Sequence, residues 1–289
     1  MTTNVPASGT APVVLITGCS TGIGLLAAQR FARAGFRVFA SMRDSARGAA
    51  LRDQAATAGW WLRTPALDVT SDESVARAVS AVLQETGGRI DVLVNNAGYL
   101  CLGPVEETSP DELRAQLETN VIGVLRVLRA VLPAMRARRS GTVVNLSSVL
   151  GRVAIPANGP YQASKWALEA LTETLRYEVR AFGIRVVCVE PGPFKTEIRA
   201  NQIRTAELQR PDSPYAWMVD RYTESSARLP RGDAGRVADA IFRAATARRP
   251  RLRWAVGSTA TVATNLRRLL PDWLYELGVR RMLRSARKS

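Results

Sequence analysis

Val13-Val-Leu-Ile-Thr-Gly-Cys-Ser-Thr-Gly-Ile-Gly24 is the stretch whose reading decides the fold. Val13 to Thr17 is a short, continuous apolar run, as expected for a strand covered on both faces. Gly18, Gly22 and Gly24 then open a helix that carries Leu25, Leu26, Ala28 and Phe31 and stops at Gly35. Strand, glycine loop and helix in that order let a pyrophosphate approach the backbone, with the helix N-terminus facing the anion. A structural turn is the plainer alternative, so the rest of the chain has to supply the rest of a dinucleotide site.

Outward from the loop, Arg37 to Ser41 reads as a second strand that ends in Met42-Arg43-Asp44. In a dinucleotide fold an acidic side chain near this strand end accepts from the ribose diol, whereas a cation meets a 2′-phosphate. Arg43 is the first charge after the strand and predicts NADP(H) over NAD(H), with Asp44 as the competing residue. A helix over Ala46 to Ala58 leads to a third strand ending at Ala66-Leu67-Asp68-Val69. Asp68 is placed to reach an adenine amino group or, alternatively, to cap the next helix, a task Thr70 or Ser71 could serve. The strand Asp91 to Asn95 ends in Asn96-Ala97-Gly98, small residues that permit close packing on a ribose.

Asp111 to Arg139 reads as one long helix containing Asn120, either a site residue or a hydrogen-bonded core amide. A fifth strand, Thr142 to Ser147, runs into Ser148. Tyr161-Gln-Ala-Ser-Lys165 follows, in a segment whose apolar residues at 163, 167, 168, 171, 175 and 179 recur at helical spacing. That spacing puts the phenol and the ammonium on one helix face. A free phenol has a pKa of about 10, and a fixed positive charge beside it favours the phenolate, so the pair could exchange a proton at working pH. The bland alternative is a half-buried tyrosine and a solvated lysine. A sixth strand, Ile184 to Glu190, precedes the turn Pro191-Gly192-Pro193-Phe194-Lys195-Thr196. Residues 197–232 break the alternation and read as a mobile substrate lid. A helix from Asp233 to Ala247 and a strand from Leu252 to Val256 complete the pattern.

The expected architecture is a single α/β domain at residues 13–257. It is a Rossmann-type doubly wound parallel sheet of about seven strands flanked by helices, between a disordered lead-in at 1–12 and a basic helical tail at 258–289. An apolar fraction of 46% and a charged fraction of 22% are those of an ordinary globular chain. No apolar run reaches the ~18 residues of a membrane span, and the start lacks the pattern of a signal peptide, so the protein is expected in the cytoplasm. The chain has no histidine, which removes Ser-His-Asp and Cys-His catalysis and the common zinc sites; the three cysteines have no paired spacing. Of the net charge of +15, the segment from Arg228 onward holds fifteen basic against four acidic residues. In the tail, Arg267, Arg268, Arg280, Arg281 and Arg284 lie among Leu266, Leu269, Leu270, Trp273, Leu274, Tyr275 and Leu277. Peripheral attachment to an anionic membrane is one reading of that mixture, and leucines capping the sheet edge is the other. Nucleic-acid binding lacks any interleaved aromatic platform and is set aside.

Taken in order, Thr17-Gly-x-x-x-Gly-x-Gly24, Asp68, Asn95-Asn96-Ala97-Gly98, Asn120, Ser148, Tyr161-x-x-x-Lys165 and Pro191-Gly192 with Thr196 resemble the short-chain dehydrogenase/reductase family over residues 13 to about 257. The resemblance implies that Tyr161 gives or takes the proton at the substrate oxygen and that Ser148 holds that oxygen. Lys165 would lower the tyrosine pKa and bind the nicotinamide ribose, while Asn120 would orient a relay water. It also implies cofactor contacts at Gly18, Ser20, Thr21, Gly22, Ile23, Gly24, Arg43, Asp68, Val69, Asn95, Ala97, Gly98, Tyr161, Lys165, Pro191, Gly192, Phe194 and Thr196, with substrate at Ser148 and Tyr161 and no metal. Cys19-Ser20-Thr21 and Ala40-Ser41-Met42-Arg43-Asp44 are similar to the hydroxysteroid and retinol dehydrogenase branch, which usually prefers NADP(H). A lipophilic alcohol or carbonyl substrate and a homodimer or homotetramer are the corresponding expectations. The rival class is a non-catalytic dinucleotide-binding regulator, which could have lost the tetrad that stands intact here.

Overall fold

The computed structural model describes residues 11–198, 201–229 and 231–284. The lead-in at 1–10 lies outside the described residues, and Pro12 already belongs to the sheet, since its carbonyl accepts from Arg37 N at 2.8 Å. From the amino end the elements are β1 (Val13–Ile16), α1 (Gly22–Arg33), β2 (Arg37–Ala40), α2 (Ala49–Thr57), β3 (Leu62–Arg63), α3 (Asp72–Glu85), β4 (Val92–Asn95) and β5 (Cys101–Leu102). Next come α4 (Pro110–Leu117), α5 (Gly123–Ala137), β6 (Gly141–Leu146), α6 (Gly159–Glu178) and β7 (Ile184–Pro191). β8 (Ile203–Arg204), α7 (Ala216–Arg228), α8 (Gly235–Thr246), β9 (Arg253–Val256), α9 (Ser258–Leu269) and α10 (Asp272–Arg284) complete the order.

Seven strands form one parallel sheet in the order β3-β2-β1-β4-β6-β7-β9, the doubly wound Rossmann arrangement, in a single domain. Strand order reverses between β1 and β4, which places the ligand crevice at their carboxyl ends. Both faces are covered, so strand residues are buried alternately in two cores. Val14 and Ile16 join Phe31, Ile241 and Phe242 beneath α1 and α8, while Val13 and Leu15 join Val79, Val127, Val131 and Leu168 beneath α3, α5 and α6. A third cluster, Leu100, Leu102, Ala157, Tyr161, Leu208, Val219 and Tyr222, sits above the carboxyl ends.

Three elements differ from the sequence expectation. β3 is only Leu62–Arg63, and pairing resumes as one bridge between Met42 and Ala66, because Pro65 has no N–H for the ladder. The helix expected over 111–139 starts with a Ser109–Glu112 capping box and Pro110 at its first turn, then is interrupted by a π-helical turn, Glu118–Ile122, before α5 resumes. Residues 197–232 hold β8, which pairs with β5 to give a small second sheet, and α7. Their first half is fastened down by Ala206 N on Glu112, Ser213 Oγ on Glu107 and Tyr215 OH on Glu106. The tail is two helices separated at Pro271.

Candidate active site

The glycine loop is shaped by its neighbours. Gly18 has a φ of +72°, and a Cβ there would lie 2.8 Å from Ala97 Cα; a Cβ on Gly24 would overlap the Gly18 carbonyl oxygen. Thr17 Oγ1 accepts from the amides of Asn96 and Ala97, each at 3.0 Å, while Asn96 Nδ2 donates to the carbonyls of Thr17 and Gly18 at 2.8 and 2.9 Å. The loop after β1 and the turn after β4 are thus one rigid unit. Thr21 caps α1 without a side-chain hydrogen bond, which leaves the first amides of the helix without a side-chain partner. Glycines that admit no Cβ and a helix start left open fit a pyrophosphate. Ser20, Thr21 and Ile23 are half-buried here.

Around the loop, Asp44 is engaged: its Oδ1 accepts from Ala46 N at 2.9 Å and caps a 3-10 turn. Arg43 is exposed, with no hydrogen bond or ion pair among the described residues, so the cation is free to meet a phosphate. Asp68 is half-buried and accepts at Oδ1 from Thr70 N and Oγ1, while Ser71 caps α3. Val69 turns its side chain into the core against Gly123, and its carbonyl accepts from Arg126. Asn95, expected at the cofactor, is buried in the sheet and donates to Asn145 Oδ1 at 2.8 Å. Asn96 lines the crevice. The available signal was Asn145, the register partner of Asn95 on β6.

A cavity of about 370 Å³ opens beside this unit. Ser148, Tyr161 and Lys165 share its wall with Gly98, Pro191, Gly192, Phe194 and Thr196. Tyr161 and Lys165 stand one turn apart on α6, with the ammonium 5.7 Å from the ring centroid. Lys165 Nζ donates to Leu146 O at 2.8 Å, and burial lowers the lysine to about 8, against the opposing pull of Cys188 and Glu169. Ser148 accepts from Leu150 N at 3.2 Å, which orients its hydroxyl at the start of a 3-10 turn. Asn120 lies in the π-helical turn, accepts from Tyr99 N, and donates to Tyr99 O and Ser164 Oγ, all within 3.1 Å. Its amide nitrogen is committed to protein partners, while the amide oxygen, which accepts from Tyr99 N, keeps a second lone pair. Leu150, Val153, Ile155, Tyr222 and Leu229 make the remaining wall largely apolar. Sequence reasoning missed that Thr259 and Ala263 of α9 line the same space.

The family model described as short chain dehydrogenase matches residues 12–207. Retinol dehydrogenase 8 of Bos taurus is 40% identical over 224 residues, 75% of this chain and 71% of that protein. 17-beta-hydroxysteroid dehydrogenase type 1 of Homo sapiens is 39% identical over 253 residues, 84% and 76% of the two chains. Among solved structures, a short-chain dehydrogenase from Streptomyces avermitilis superposes with a TM-score of 0.79 at 35% identity, covering 95% of this chain and 96% of that one. A Burkholderia cenocepacia short chain dehydrogenase in complex with NADP (TM-score 0.73, 26% identity, 92% and 97% covered) and a Burkholderia phymatum one in complex with NAD (0.77, 27%, 89% and 93%) share the fold. The chain belongs to the short-chain dehydrogenase/reductase family of oxidoreductases. Within it, the chain is similar to the retinol and hydroxysteroid dehydrogenases, enzymes that act on alcohols and carbonyls with a nicotinamide cofactor.

Proposed function

We propose that the protein is an NADP(H)-dependent oxidoreductase acting on a lipophilic secondary alcohol or ketone, of retinoid- or steroid-like character, with Tyr161 as general acid and base. The observation that carries this reading is Tyr161, one turn from Lys165 and beside Ser148, on the wall of a mainly apolar cavity. The nicotinamide, when bound, supplies the hydride donor or acceptor. The glycine loop at 18–24 would hold the pyrophosphate, Arg43 the 2′-phosphate, Asp68 with the Val69 backbone the adenine, and Ala97, Gly98 and Lys165 the riboses. Pro191, Gly192, Phe194 and Thr196 would close the nicotinamide side. Tyr161 gives its proton to the carbonyl oxygen in reduction and takes it back in oxidation, while Ser148 donates to the same oxygen. Lys165 stabilises the charge left on the phenol oxygen. Consumption of NADPH across ketones of graded lipophilicity tests the reading, with kcat/KM expected to rise with apolar size; preference for small polar carbonyls would overturn the substrate class.

The segment 197–232 serves as the lid of this site. Ile122, Leu125, Trp166 and Leu171, exposed on and just before α5 and on α6, offer the face for a dimer, which light scattering would reveal. No helix among the described residues is long and apolar enough to cross a membrane. Leu269 and Trp273 are 76% and 67% exposed, however, and Leu266 and Leu277 are exposed beside them, so these side chains do not cap the sheet. We place this face, with Arg268 and Arg281, against anionic bilayers. Flotation with anionic liposomes should be salt-sensitive and weakened by Leu269→Ser with Trp273→Ser; equal flotation of the variant would remove the tail from membrane contact.

A further inference from the structure

Beneath α6 the protein buries a cluster of charge that the proton transfer above does not use. Glu169, one turn beyond Lys165, is 4% exposed, and Glu190, near the end of β7, is 2% exposed. Arg253 of β9 donates to Glu169 Oε2 at 3.0 Å and to Glu173 Oε2 at 2.7 Å, and its Nε stands 3.4 Å from Glu190 Oε1. Arg152, from the turn after Ser148, approaches the same oxygen at 3.5 Å. Neither approach closes as a hydrogen bond, so Glu190 Oε1 is buried with ion-pair neighbours alone. Burial, with the like charge of Glu169, raises Glu190 to about 7 against the pull of both arginines.

Two observations connect this cluster to the site. Lys165 is buried, and the Glu169 charge pulls its pKa up against that burial. A Cβ on Gly151 would lie 2.7 Å from Ser147 Oγ, 3.1 Å from Glu169 Cγ and 3.1 Å from Lys165 O. The turn that carries Ser148 therefore rests on the Glu169 side chain. The charged and titratable groups gathered here are Tyr161, Glu169 and Glu173 from α6, Cys188 and Glu190 from β7, Arg152 from the Ser148 turn and Arg253 from β9. Cys188 donates its thiol to Glu169 Oε1 at 3.0 Å, and burial raises it well above the usual thiol range, so it stays neutral.

We propose that Glu169 and Glu190, balanced by Arg152 and Arg253, are positioning residues that keep Lys165 an ammonium and seat the Ser148 turn against the catalytic helix. With Glu190 protonated, the pair offers one negative charge to two arginines; once that proton leaves, the second charge offsets them and Lys165 holds its proton to higher pH. The inference rests on Lys165 being the cation that binds cofactor. NADPH binding followed by nicotinamide fluorescence between about pH 6 and about pH 10 tests it in the wild type, Glu190→Gln, Arg152→Gln and Lys165→Met. Affinity should fall on the alkaline side in the wild type. The midpoint should move down by about one pH unit in Glu190→Gln and up in Arg152→Gln, since a nearby charge shifts a buried group by about that much or more. Opposite signs mark an electrostatic balance, whereas a packing defect would move neither midpoint or both together, and either of those results overturns the inference. An alkaline fall that persists in Lys165→Met sinks the role of Lys165 itself. A fall that vanishes there but stays unmoved in Glu190→Gln sinks only the buried pair.

Discussion

As the proposed general acid and base, Tyr161 would act through one oxygen, which makes binding and turnover separable by a single substitution. Tyr161→Phe should leave NADPH affinity nearly intact while lowering kcat by about 10²–10⁴-fold, the usual contribution of a positioned acid or base. Wild-type turnover in that variant would dismiss the tyrosine from the chemistry. Arg43, proposed for the other end of the cofactor, is exposed and has no ion pair among the described residues, while Asp44 is committed to Ala46 N. A charge-assisted contact to phosphate is typically worth about 1.5–3 kcal/mol, so Arg43→Ala should weaken NADPH about ten- to a hundredfold and leave NADH almost unchanged. Dissociation constants for both cofactors decide it; a wild type that prefers NADH would transfer selection to Asp44.

At the scale of elements, the π-helical turn at Glu118–Ile122 is tied to its surroundings by Asn120, which bonds to Tyr99 and Ser164. Asn120→Ala would leave Tyr99 N without its partner, at about 1–3 kcal/mol, while Tyr99 O keeps the amide of Gln116. A lower denaturation midpoint is expected, together with a raised KM as the Tyr99 wall of the cavity loosens; unchanged values for both would make the amide incidental. That turn was not legible in advance, because one inserted residue disappears into an apolar periodicity averaged over several helical turns. Strands β1, β2, β4, β6 and β7, the glycine loop and the Tyr161 helix were legible, since each is specified by neighbours within a dozen residues. The Asn95–Asn145 bond needed the register of β4 against β6 to be known, and the shortness of β3 needed the consequence of Pro65 to be drawn. Nothing local marks Thr259 and Ala263 as cavity wall, or Glu169, Glu190 and Arg253 as neighbours, because β7, β9 and α6 meet only in three dimensions.

For the molecule as a whole, the buried pair links stability to acidity. Glu190 is raised in the folded state to about 7 from an ordinary value of 4.5. The folded protein therefore holds more protons than the unfolded chain between those values, so this contribution is complete below the lower one and is lost as pH rises through the upper. The melting temperature should fall from pH 5 to pH 7.5 through this group, and Glu190→Gln should flatten that fall; parallel curves for the two proteins would count against it. Arg253 has a consequence in time as well. Each neighbour in the seven-stranded sheet is parallel, so no pair closes through a short hairpin, and β9 is an edge strand paired with β7. The arginine that completes the charge under α6 thus comes from the edge strand latest in sequence, far from the glycine loop along the chain. During refolding from denaturant, turnover should return more slowly than backbone circular dichroism, and a single rate constant for both would show that the site does not wait for its last strand.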